Sequence, residues 1–153
     1  YHQNNPFIMD RKGECEMELQ FKTKVNASKE RIWPYYVDPE KRSIWEEDLE
    51  RLSFDGAVVT GTTGKMKLKE MPEMSFTLIS VVPNFSYWDL TEVPGMGCLD
   101  FGHDILEESG KLYIRHSIRL EKDNPTDADL EFLCGVFSDV PHAVMNIKRE
   151  VER

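Results

Sequence analysis

Residues Leu99–Leu120 read LDFGHDILEESGKLYIRHSIRL, and their pattern decides the fold. Leu99, Phe101, His103 and Ile105 alternate with polar or small residues, as do Leu112, Ile114, His116, Ile118 and Leu120. Each half therefore reads as a half-buried strand of period two. Ser109-Gly110 lies between them, and a two-residue loop with Gly second suits a primed turn. This turn pairs Leu99 with Leu120, Phe101 with Ile118, His103 with His116 and Ile105 with Ile114. A slip of one residue would break every apolar pair. The register puts two imidazoles side by side on the buried face, with Cβ atoms roughly 4.5–5.5 Å apart.

The register extends outward from the hairpin. A four-residue loop at Pro94–Gly97 sets Trp88 opposite His103. A two-residue loop at Pro83-Asn84 sets Ile79 opposite Trp88. The expected inward row is then Ile79, Trp88, His103 and His116. Met74, Phe76 and Leu78 run out of phase with Ile79 and Val81, so a β-bulge is expected between the two sets. Glu92 falls opposite Leu99, about 13 Å along the strand from His103, too far to complete a site with it.

The row describes a cavity wall. Burial and mutual repulsion hold at least one of two adjacent histidines neutral at pH 7. A neutral imidazole offers one donor and one acceptor. His103 and His116 can thus anchor a polar group of an apolar ligand, bond to each other or to water, or act as acid and base near pH 7. A metal site is not expected, since zinc wants three or four ligands. No cofactor motif is present either: Gly61-Thr62-Thr63-Gly64 lacks the Lys-Ser/Thr of a phosphate loop and reads as a turn or bulge.

At 153 residues the chain reads as one domain with a sizeable core. A net charge of −9 argues against a nucleic-acid partner or an anionic membrane surface, both of which require basic patches. No apolar run spans a bilayer and no signal-peptide pattern opens the chain. Cys15, Cys98 and Cys134 give neither a disulfide framework nor a zinc spacing, so a reducing cytoplasm is expected.

Residues 1–14 are polar and aperiodic and read as a flexible tail; the domain is assigned to residues 15–153. Met17–Val25 alternates as a strand. Ser28 is the expected N-cap of a helix over Lys29–Val37, with Pro34 tolerated in its first turns. A second short helix runs from Pro39 to about Asp48, with Glu46-Glu47-Asp48 as a solvated face. Strands are expected at Leu49–Phe54, Gly61–Glu70, Met74–Val82 and Phe85–Val93. Apolar residues at 130, 133, 134, 137, 140, 144, 147 and 151 have helical spacing. Pro141 should kink this long helix, whose half near Thr126 should be the more buried. His142 should be at the surface.

The order is strand, two short helices, six strands, long helix. Together with Val25–Trp33, Trp45, Phe54-Asp55-Gly56 and Gly61-Thr62-Thr63-Gly64, it resembles the START-like (SRPBCC) superfamily, in its polyketide cyclase/dehydrase-like branch. The resemblance implies an α+β helix-grip fold, a seven-stranded antiparallel sheet wrapped around a long C-terminal helix. It also implies a pocket for a lipid, a polyketide-like compound or another hydrophobic molecule. Trp88, His103, His116 and Phe101 are the expected ligand contacts on the sheet, with Ile118 beside them. Trp45 and, on the long helix, Leu133 and Phe137 complete the set. Three readings follow: a non-catalytic binder, a cyclase or dehydratase (a lyase-type enzyme) using the His pair, and a protein-interaction domain of the chaperone-regulator kind.

Overall fold

The computed structural model describes residues 16–94 and 97–153. The tail expected over 1–14, Cys15 and the centre of the Pro94–Gly97 loop lie outside the described residues. Strand β1 (Glu16–Lys24) is followed by three short helices, α1 (Lys29–Ile32), α2 (Pro34–Val37) and α3 (Pro39–Trp45). Strands β2 (Leu49–Phe54), β3 (Thr63–Leu68), β4 (Met74–Val82), β5 (Ser86–Val93), β6 (Gly97–Glu108) and β7 (Lys111–Glu121) come next. Helices α4 (Asp127–Phe137) and α5 (Val140–Val151) close the chain. All strand pairs are antiparallel, in the order β1-β7-β6-β5-β4-β3-β2.

The β6–β7 register is the expected one, Leu99 against Leu120 through Ile105 against Ile114. Ser109 and Gly110 take positive φ of 53° and 75°, the pair of left-handed residues a type I′ turn needs. The next hairpin differs by one residue. Val93 pairs with Gly97, so three residues, not four, separate the strands. Tyr87 therefore faces His103, and Trp88 faces Gly102. The expected bulge is present: the register shifts between Leu78 and Ser80. Val82 pairs with Ser86, which leaves three residues rather than two in that turn, and Trp88 meets Ser80 rather than Ile79.

These shifts move Trp88 to the face turned away from the helices. There it clusters with Ile79 and Leu90. Its ring lies under the Arg119 guanidinium, 4.8 Å from centroid to Cζ, and its Nε1 donates to Asp104 at 3.0 Å. Arg119 in turn pairs with buried Asp100 at 2.9 Å. The inward row is Val81, Tyr87, His103, His116 and Phe21.

The helices also depart from expectation in detail. Ser28 caps α1 by accepting from Arg31 N, 3.2 Å, as expected. The expected Lys29–Val37 helix is split at Trp33, because Pro34 brings no N–H to continue it. Asp38 then caps α3 through Glu40 N, 3.0 Å, and α3 stops at Trp45, short of Asp48. The long C-terminal helix breaks at Ser138-Asp139, with Pro141 in the first turn of α5. Its C-terminal half, not the half near Thr126, is the more buried. Val144, Ile147 and Val151 of α5 are at most 2% exposed, whereas Leu130 of α4 is 40% exposed. The cause is that α5 packs against β1, β7, α1 and α3 together, whereas α4 meets only β1 and β7 among its principal neighbours. Burying each such aliphatic side chain contributes roughly 1.5–3 kcal/mol. No helix among the described residues is long and apolar enough to cross a membrane.

Gly102 leaves room for the Trp88 ring: a Cβ there would lie 2.2 Å from Cε2. Gly102→Ala should therefore lower stability in urea denaturation by about 2–3 kcal/mol through overpacking. Gly135→Ala, at an open helical position, should leave it unchanged or slightly raised. Equal effects would remove this account of the Trp88 face.

Candidate functional site

The alternation of β5, β6 and β7 sends Tyr87, Asp89, Phe101, His103, His116 and Ile118 to one face. Helix α3 lies across the same end of the sheet. Its spacing of three and four residues presents Arg42, Trp45 and Glu46 together. Between them is a cavity of about 450 Å3. Its apolar wall includes Met66 and Leu68 of β3, Met71 of the turn, Met74 at the start of β4, and Val136, Val140 and Ala143 from α4 and α5. Glu46, Glu47, Asp48 and Asp139 also line it.

One end of the cavity is a cluster of rings. The His103 and His116 centroids are 4.6 Å apart, and the rings meet edge to face. Trp45 lies edge-on to both, at 5.9 and 5.3 Å. Tyr36, fully buried, packs on the other side, its hydroxyl 3.1 Å from His116 Nε2. Trp45 is fixed by its Nε1 donating to the Tyr35 carbonyl at 2.7 Å. His103 Nδ1 is 3.0 Å from the Tyr87 carbonyl, which only accepts. His103 is therefore the Nδ1–H tautomer, and its Nε2 carries the lone pair.

Both histidines are held neutral. Burial pushes His116 down to about 3, aided by the nearby Arg42 charge. Burial, His116 and Arg42 push His103 well below its ordinary value. Burial likewise raises Tyr36 far above the usual phenol range, with Asp104 adding to it. Burial raises the Tyr87 phenol to about 12, and Arg42 moderates it.

Arg42 is 3% exposed and sits between aromatic faces, with Cζ 5.5 Å from the Trp45 ring and 5.2 Å from the Tyr87 ring. Burial opposes its charge, but Glu46 more than restores it through an Nε–Oε1 contact of 2.9 Å. Arg42 Nη1 and the Tyr87 hydroxyl are buried without a hydrogen-bond partner of normal geometry, although the two side chains are near enough for Arg42 to pull the Tyr87 phenol down. Asp89 is 3% exposed and accepts from Thr91 Oγ1 at 2.6 Å. Burial raises its carboxyl to about 7, against the opposing pull of Arg42 and Thr91. Of these three buried groups, Asp89 is therefore the one that changes protonation near neutrality.

Five of the expected ligand contacts line this cavity: Trp45, Phe101, His103, His116 and Ile118. Trp88 does not, being on the opposite face. Leu133 and Phe137 pack instead into the cluster around Leu99, Ile118 and Leu120. Glu92 pairs with Cys98 rather than Leu99 and is exposed. Glu46-Glu47-Asp48 is not simply a solvated face, since it lines the cavity and Glu46 holds Arg42. His142 is exposed, as expected, at the cavity's edge. Arg42, Asp89, Tyr36 and Tyr87 escaped the sequence reading. For Asp89 and Tyr87 the signal was loop parity: a three-residue loop turns the odd positions of β5 inward. No group of three or more potential metal ligands is found among the described residues.

No family model matches the sequence, and no curated protein matches it by sequence. Solved structures do match. Ara h 8.0201 is 12% identical at a TM-score of 0.70, with 90% of this chain and 98% of that chain covered. The Aha1 dimer from Colwellia psychrerythraea is 16% identical at 0.66, covering 89% and 96%. A truncated norcoclaurine synthase from Thalictrum flavum is 15% identical at 0.65, covering 90% and 94%. The chain shares the fold of these proteins, a seven-stranded antiparallel sheet gripping C-terminal helices.

The shifted groups make opposite demands on pH. The histidines, depressed in the folded state, contribute stability above their unfolded value of 6.5 that is lost as pH falls, for His116 through about 3. Asp89 is raised in the folded state, so its contribution is present below its unfolded value near 3.8 and lost as pH rises through about 7. Chemical denaturation from pH 4 to 8 should therefore show His116→Gln losing less stability on acidification than the parent. Asp89→Asn should lose less on alkalinisation. Parallel pH curves for all three proteins would contradict the assignment.

Proposed function

We propose that the chain binds a hydrophobic small molecule, lipid or polyketide-like in size and polarity, in the cavity between sheet and C-terminal helices. The observation that carries this reading is the cavity itself, about 450 Å3, with a wall of methionines and aliphatic residues facing a polar side that includes Arg42, Asp89, His103 and His116. An apolar wall with convergent polar groups is the usual make-up of small-molecule sites. Methionine suits it, because a flexible, polarisable thioether adapts to different ligand shapes. Phe101, Ile118 and Trp45 are the proposed apolar contacts, and His103 and His116 the proposed polar ones. Leu133 and Phe137 support the wall from behind, and Trp88 has no part in it. The exposed thiols Cys98 and Cys134 fit a reducing cytoplasm.

An enzyme is the second reading, and a specific observation favours it. Asp89 lines the cavity with its carboxyl raised to about 7, where a general acid or base works best. A cyclase or dehydratase built here would draw its proton traffic from Asp89. His103 and His116, kept neutral to well below that pH, would orient the substrate. The cavity weakens the protein-interaction reading, which requires a filled groove.

Native mass spectrometry of freshly purified protein should show an added small-molecule mass on the 17.8 kDa chain, lost on denaturation. The neutral fluorophore N-phenyl-1-naphthylamine should bind saturably to the emptied protein. Ala143→Trp, which projects bulk into the cavity, should weaken that binding at least tenfold while the thermal midpoint moves only a few degrees. Unsaturable binding, or binding indifferent to Ala143→Trp, would overturn the proposal.

A further inference from the structure

The proposed ligand's polar group can be specified further, an inference that rests on the binding reading above. Two features of the cavity constrain it independently. The first is Arg42, nine-tenths buried and more, whose Nε is spent on Glu46 while Nη1 makes no hydrogen bond of normal geometry, its interaction with the nearby Tyr87 phenol included. A buried guanidinium N–H without a partner costs on the order of 1–3 kcal/mol, so this end of the cavity calls for an oxygen acceptor. The second is the sign of the remaining charge. Glu46, Glu47 and Asp48 follow one another at the end of α3, and Asp139 stands across the cavity in the α4–α5 turn. Asp89 adds a carboxyl beside the guanidinium. Among the described residues Arg42 is the sole Lys or Arg side chain lining the cavity, and Glu46 already pairs with it. A ligand carboxylate would add a further negative charge beside buried Asp89 and half-buried Glu46, with Glu47, Asp48 and Asp139 exposed around the mouth of the cavity, which is unfavourable.

We propose that the cavity selects neutral apolar molecules carrying a carbonyl-type oxygen, which Arg42 receives through its unpaired N–H, and that the acidic lining rejects carboxylates of the same size. Arg42 is the specificity-determining residue. Hydrogen bonds from a charged donor are stronger than neutral ones, and the guanidinium is held in place before the ligand arrives. Its position is fixed by the Trp45 and Tyr87 faces and by the Glu46 contact, so little ordering is left for binding to do.

Three matched probes test this by displacing N-phenyl-1-naphthylamine at pH 7.5: 2-acetylnaphthalene, 2-ethylnaphthalene and 2-naphthoate. The ketone should displace at about a tenth of the concentration the hydrocarbon needs, and the carboxylate should be the weakest. Arg42→Met should bring ketone and hydrocarbon together while the fluorophore still binds. Glu47→Gln/Asp48→Asn, a surface change that leaves Arg42 in place, should strengthen 2-naphthoate several-fold and leave the ketone alone. Equal displacement by ketone and hydrocarbon in the parent, or tightest binding by 2-naphthoate, would overturn the inference and leave the binding reading standing. Failure of the fluorophore to bind the parent at all would remove both.

Discussion

Two imidazoles forced into contact on a buried sheet face set the terms for the rest of this structure. Their proximity comes from backbone pairing, which places His103 directly across from His116. Neither can be charged there without leaving an unpaired cation in the core beside Arg42. The fold answers by giving each neutral ring a partner that tolerates neutrality: a main-chain carbonyl for His103 and a phenol for His116. The phenol belongs to Tyr36 on α2, so the polar requirement of the sheet is met by a helix. The same tyrosine packs edge-on against Trp45 at 6.1 Å. The short helices are therefore held over the sheet by hydrogen-bonded polar groups as well as by apolar burial, and polar groups of this kind tolerate few alternative placements.

That anchoring has a consequence for charge. Once Trp45 is seated on the histidines, Arg42, one turn earlier on α3, is carried into the cavity with it. A buried guanidinium must be compensated, and Glu46 on the next turn does this at the cavity's side. The apparent balance is incomplete, because Asp89 is close enough to feel Arg42 and yet remains protonated in part near neutrality. Its neighbours explain this: burial dominates, and Arg42 has its closest ion-pair contact in Glu46. The inner end of the cavity thus holds Arg42, its ion-pair partner Glu46 and the Asp89 carboxyl, with Glu47, Asp48 and Asp139 exposed around it. Such a set polarises a neutral oxygen more readily than it accommodates another full charge.

How far the sequence is readable depends on what parity protects. The β6–β7 hairpin was legible to the residue, since a two-residue turn and four apolar pairs all enforce one register. The bulge in β4 was legible because Leu78 and Ile79 are both apolar and cannot share a face in a regular strand. Trp88 was misplaced by a single residue of loop length at Pro94–Gly97, and one residue inverts a whole strand. Both faces of β5 accept aromatic and acidic residues, with Tyr87 and Asp89 on one and Trp88 and Leu90 on the other, so composition gave no correction. Gly102 held the missing hint: a glycine in mid-strand marks the close approach of another group, here the Trp88 ring. The C-terminal helix shows a different limit. Its apolar positions were countable, but which half lies deeper depends on α1 and α3 folding back over α5, a tertiary fact that periodicity does not contain.

The error at Trp88 is informative about function. Had Trp88 faced His103, the cavity would have been a flat aromatic slot between rings, suited to stacking. The true row packs Tyr87 against His103 and puts Asp89 into the cavity wall, so the wall there carries a carboxyl next to a buried cation. The chemistry shifts from stacking toward recognition of an oxygen, with the methionine wall left to accept a variable apolar body. Trp88, meanwhile, holds the opposite face, where its indole covers Gly102 and braces the Arg119–Asp100 pair. The tryptophan and the site thus sit back to back on adjacent residues of one strand. A change that disturbs Trp88 reaches the cavity through Tyr87, Asp89 and the main chain between them, without any direct contact with ligand.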